Sequence, residues 1–177
     1  MAKRKISFSL SEKSIDDAIK QIEEYKQSIN KKLETFVSRL TDIGIQTVNA
    51  VMMSVAPVDR GEYNTEVVWD KNSQAAVGAK IQLKGDQVLF IEFSSGITFG
   101  TKSFPALPNN PNYGSDYGMG TYNPDSPNWN NPQGWWYKGK WGEKEHTYGI
   151  RAYAPMYNAD MEMRRQIQSI AKEVFGG

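Results

Sequence analysis

Apolar side chains recur three to five residues apart along the first third of the chain, at Ile15, Ile19, Ile22, Ile29, Leu33, Phe36, Leu40, Ile43, Val48, Val51 and Val55. Lys20, Glu23, Glu24, Lys31, Lys32, Glu34 and Arg39 fill the other face. This is the period of an amphipathic helix. Ser11 or Ser14 supplies an N-cap, Asp16 and Asp17 suit the positive end of the helix dipole, and Pro57 ends the element. Unbroken over 14–56 the helix would measure roughly 60 Å, too long for one small domain. The sequence therefore predicts a break near 28–30 or near Gly44.

Elsewhere the period is two. Ile6, Phe8 and Leu10 alternate with serines and predict a short strand ahead of the helix. After a turn at Asp59-Arg60-Gly61, Tyr63, Thr65, Val67 and Trp69 alternate with polar residues. Ala75, Val77, Ala79, Ile81 and Leu83 do so in a second run. The links Lys71-Asn72-Ser73 and Lys84-Gly85-Asp86 predict antiparallel hairpins. A third run, 88–93, is apolar on both faces except at Glu92 and reads as a covered central strand.

Residues 94–146 break every period. They hold eight of the fifteen Gly, six of the eight Pro and four of the five Trp, a spacing that predicts a long loop insertion. A short strand is expected over 146–150. Pro155 then opens a second helix, with Met156, Ala159, Met163, Ile167, Ile170 and Val174 on one face. The expected fold is a single α+β domain over 1–177. A long N-terminal helix, unbroken or kinked, and a C-terminal helix pack on a four- or five-stranded antiparallel sheet, with the loop 94–146 projecting from one edge. The expected core is Leu33, Phe36, Leu40, Val48, Val67, Val77, Ile81, Phe90, Met163 and Ile167.

Composition narrows the function. Net charge is +1 from 21 basic and 20 acidic side chains, so the field that draws proteins onto DNA or anionic membranes is lacking. No sequence-specific nucleic-acid partner is expected. The absence of cysteine excludes disulfides and thiolate metal sites. No stretch approaches the ~20 apolar residues of a membrane span, and a soluble chain is expected.

No catalytic signature stands out. His146 is the only histidine and has no nucleophile at a telling distance. Gly114, Gly118 and Gly120 lack the strand-to-helix setting of a phosphate loop. Asp116, Asn123 and Asp125 do not have calcium-loop spacing and suit turns. No metal, cofactor or catalytic residue is therefore assigned. Glu92, inside an apolar run, needs backbone donors or a cation such as Arg60, Lys80 or Arg151; alternatively it faces a neighbouring subunit. Trp129, Trp135, Trp136, Tyr137 and Trp141 suit a satellite core, a protein interface or a sugar-stacking platform; stacking on bases would want a basic groove, and the loop offers only Lys102, Lys138, Lys140 and Lys144.

Four segments together resemble a known family. They are Ala56-Pro57-Val58-Asp59-Arg60-Gly61 after the long helix; Ile91-Glu92-Phe93-Ser94-Ser95-Gly96-Ile97; Gly134-Trp135-Trp136-Tyr137; and Ala152-Tyr153-Ala154-Pro155-Met156-Tyr157-Asn158-Ala159. Their order is similar to that in the tail-completion, or head-to-tail joining, proteins of long-tailed bacteriophages. Arg60 stands where that pattern has Thr, and Ser94-Ser95 where it has Gly-Thr. The resemblance implies a non-enzymatic virion protein of the tail or neck, made in the host bacterial cytoplasm. It further implies a homo-oligomeric, hexameric ring between the connector and the tail tube or terminator. Trp129, Trp135, Trp136, Tyr137, Trp141, Glu92 and Arg60 are the expected interface residues. A glycan-binding module using the Trp-rich loop is the alternative.

Overall fold

A computed structural model describes residues 9, 11–70, 77–93, 133–138 and 141–176, with the backbone alone given for Val58, Tyr137 and Lys138. The expected strand at Ile6, Phe8 and Leu10, the link 71–73 and Trp129 lie outside the described residues.

The first helix, α1, runs from Glu12 to Ser54 without the expected break. Side chains account for both suspected positions. Ser28 Oγ donates to the Tyr25 carbonyl at 2.7 Å, a bond a serine makes without leaving the helix. Gly44 is a close-packing position: a Cβ there would run into Ile81 Cδ1 and lie 2.8 Å from Met163 Sδ. Pro57 does more than stop α1. Ala56, held extended before the proline, leads into the four-residue α2 (Pro57–Arg60). Gly61 closes this turn at φ 61° by donating to the Pro57 carbonyl.

Strands β1 (Tyr63–Asp70) and β2 (Gly78–Gly85) pair with each other, as do β3 (Trp135–Lys138) and β4 (Lys144–Thr147). Both sheets are antiparallel and two-stranded, in place of the expected sheet of four or five. The chief correction is Val88–Phe93, a six-residue helix, α3, not a central strand. A short apolar run has no period that separates a covered strand from a buried helical turn. Here Ile91 N–H donates to the Gln87 carbonyl at 3.0 Å, and Ile91 and Glu92 are buried side by side while Leu89 is exposed. The segment 84–86 consequently leads from β2 into a helix and makes no hairpin. The last helix, α4, spans Pro155–Phe175 and begins at the expected proline.

The chain divides into two compact units, one of residues 1–45, 66–82 and 160–177 and the other of residues 46–65 and 83–159. In the first, α1 and α4 run antiparallel: Phe36 lies 5.8 Å from Phe175, Arg39 bonds Glu173 at 2.6 Å, and Gly44 meets Met163. In the second, Val48, Met52 and Val55 from α1 are buried, as are Ile91, Ala154, Pro155 and Ala159. Thr65 Oγ1 bonds Asn49 Oδ1 at 3.0 Å within this unit. Val48 is the one expected core residue that is fully enclosed. Leu33, Phe36, Leu40, Val67, Val77, Ile81, Phe90 and Met163 are half-buried, and Ile167 is exposed.

Candidate functional site

The first turn of a helix presents backbone N–H groups that have no acceptor within the helix. At α4, Glu92 supplies the acceptors from 64 and 65 residues away in the chain. Met156 N–H donates to Oε2 at 2.8 Å and Tyr157 N–H to Oε1 at 3.0 Å. The preceding residue of α3 contributes as well, because the Ile91 carbonyl accepts from Tyr153 N–H at 2.8 Å and Ala154 N–H at 3.2 Å. Ala154 has φ 56°, a left-handed conformation costing an alanine on the order of 1 kcal/mol, and these bonds hold it there. The Asn158 amide donates to the Tyr153 and Ala154 carbonyls at 3.0 and 2.9 Å.

This junction joins two of the four segments singled out in the sequence. Backbone donors satisfy both oxygens of Glu92, which is only 4% exposed. It is a buried helix cap, with the backbone donors that the sequence asks of a carboxylate inside an apolar run. Arg60 is likewise held within its own unit: Nη1 lies 3.3 Å from Met53 Sδ and the guanidinium carbon 5.8 Å from the Tyr63 ring centre. Its buried Nε has no acceptor among the described residues.

The aromatic residues present a different picture. The register Trp135↔Thr147, Trp136↔His146, Tyr137↔Glu145, Lys138↔Lys144 turns the end of the expected loop into a hairpin. Alternation along the strands puts Trp136, His146 and Tyr148 on one face. Trp136 and His146 meet edge to face at 5.0 Å and 63°, and His146 and Tyr148 at 4.9 Å and 80°. All three are exposed, Trp136 at 66%, and Trp141 at the hairpin tip is 85% exposed. Trp135 points to the other face and is half-buried.

Gly134 makes this geometry possible. It has φ 74°, and a Cβ there would strike the Thr147 carbonyl and lie 2.9 Å from His146 Cε1. Tyr148 and Gly134 were not among the expected site residues. Their signal was the alternation Trp136, His146, Tyr148, visible only once β3 and β4 are paired. His146 stands between two aromatic rings.

Among the described residues no group of three or more His, Cys, Asp or Glu could hold a metal ion. No helix among them is long and apolar enough to cross a membrane. No protein family, no curated protein and no solved structure matches the chain.

Proposed function

We propose that this chain is a structural virion protein of a phage tail or neck, forming a hexameric ring that joins or completes the tail at the head-tail interface. The observation that carries the reading is the row Trp136, His146 and Tyr148 with Trp141 at its tip, large aromatic side chains standing in water on a small hairpin. Such residues concentrate binding energy at protein interfaces. The order of the four sequence segments supports the same reading. Two of those segments have a structural use at Glu92 and Pro155, and the hairpin is the part of them that stands exposed.

The glycan alternative uses the same tryptophans but needs a flat platform. Neighbouring rings here are inclined by 63° and 80°, which breaks the row into edges and faces. That relief suits interdigitating side chains better than a sugar ring. Electron microscopy of the purified chain, alone and mixed with phage tail-tube and connector proteins, tests the reading. Rings stacked coaxially on tube or connector are expected. Saturable binding to a glycan array with no assembly on either partner would replace this reading with the alternative.

A further inference from the structure

α1 continues past the helix that packs on it. Phe36 and Arg39 meet Phe175 and Glu173, at the end of α4, and the two helices are antiparallel. The earlier turns of α1, from Glu12 to about residue 33, therefore overhang α4 by roughly 30 Å at 1.5 Å per residue. On this overhang Ile15, Ile19 and Ile22 are 41%, 49% and 55% exposed, and Tyr25 is exposed as well.

The spacing of the stripe says what kind of object covers it. Ile15, Ile19, Ile22, Lys26, Ile29, Leu33, Phe36 and Leu40 alternate steps of four and three without interruption. That heptad rhythm keeps a narrow seam turned toward another helix. In its later part the seam already meets a helix, as Phe36 meets Phe175. Asp16, Lys20, Glu23 and Glu24 crowd its earlier flanks and leave little apolar breadth for a globular partner.

Charge identifies the partner and its direction. Residues 12–24 carry the acids Glu12, Asp16, Asp17, Glu23 and Glu24 against Lys13 and Lys20, whereas residues 25–33 carry Lys26, Lys31 and Lys32 and no acid. The overhang is thus complementary to itself when reversed. A parallel pair would set acid against acid and bring Lys26 onto the partner's Lys26. An antiparallel pair sets each acid-rich half beside a lysine-rich half.

We propose that the free chain pairs with a second copy through residues 12–33 of α1, antiparallel and crossing near Glu24. In this register Ile19 faces the partner's Ile29 and Ile15 the partner's Leu33. Lys26 lies over the partner's Ile22 with its ammonium beside the partner's Glu23. The contact is isologous and two-fold, so it is distinct from the head-to-tail contacts that close a ring. It goes beyond the neck reading and does not depend on it: loss of the pair would leave that reading standing, because the latter rests on the hairpin.

Light scattering over a concentration series tests the pairing. The wild type is expected to form dimers, and Ile19→Glu to weaken dimerisation about a hundredfold, with the circular dichroism spectrum unchanged. A wild type that stays monomeric throughout, or dimers indifferent to Ile19→Glu, would overturn the proposal. Because the chain has no cysteine, one introduced thiol reports the register without ambiguity. Tyr25→Cys, at the crossing, should oxidise to a covalent dimer while Ile15→Cys should not. The reverse result would overturn the antiparallel arrangement.

Discussion

Glu92 and Ile19 occupy environments that are opposite to their chemistry. The carboxylate is 4% exposed, in α3, whereas the isoleucine stands about half in water on the overhang of α1. The chain itself compensates the first, since Met156 and Tyr157 N–H satisfy both oxygens of Glu92. The second keeps 49% of its surface in water, although its neighbour Ala18 is buried. A buried polar group persists only where partners are built in, while an exposed apolar seam of regular spacing points outward to a partner. The α3–α4 junction is therefore internal architecture, and the α1 overhang and the hairpin are the surfaces proposed for assembly.

The largest expected effect lies on the internal side. Glu92→Leu removes both acceptors and strands two buried donors, which should cost about 3 kcal/mol in urea denaturation. Glu92→Gln keeps one acceptor oxygen and should cost about 1 to 2 kcal/mol. A loss of assembly by Glu92→Gln with unchanged stability would instead make Glu92 a contact residue. Gly134→Ala comes next at about 2 kcal/mol, because it opposes φ 74° and presses on the Thr147 carbonyl. Thermal melts of this variant should also show weakened coupling between Trp136 and His146 in near-ultraviolet dichroism.

On the outward side, stability should barely respond. Trp136→Ala with Trp141→Ala should shift unfolding by under about 0.5 kcal/mol. The same pair should cost assembly about 2 kcal/mol or more per anchor. A pair that unfolds the chain would restore the satellite-core reading of these tryptophans. The pair should be Trp136 and Trp141, since Trp135 faces the other way and is half-buried.

The smallest effect concerns pH. Hydrogen bonds from Arg165, then from Gln166, lower the Glu162 carboxyl from 4.5 to about 2. A lowered folded value means a stabilising contribution that is present above about 4.5 and lost as pH falls toward about 2. Melting temperatures followed between those limits should show a slope that Glu162→Gln reduces. Because the group is on the surface the difference will be slight.

The sequence carried the helices better than the sheets, for a physical reason. α1 and α4 have many turns of consistent period, and Pro57 and Pro155 mark the end of the one and the start of the other through backbone restrictions that act locally. Val88–Phe93 is too short to show a period, and its helical state depends on packing that brings Ile91 and Glu92 against 153–157. β3 was hidden because Trp135–Lys138 sits among prolines and glycines, and only its pairing with β4 identifies it as a strand. The aromatic residues were legible as candidates. Which of them face water was not, since that follows from register.

Amide hydrogen exchange at low and high protein concentration tests the central division most directly. Amides of α1 over 12–30 should gain protection as concentration rises, because pairing adds packing where Ile15, Ile19 and Ile22 are exposed in the single chain. Those of Met156 and Tyr157, bonded to Glu92, should be protected equally at both concentrations. Protection over 12–30 that does not change with concentration, or Met156 and Tyr157 amides that do, would contradict the account.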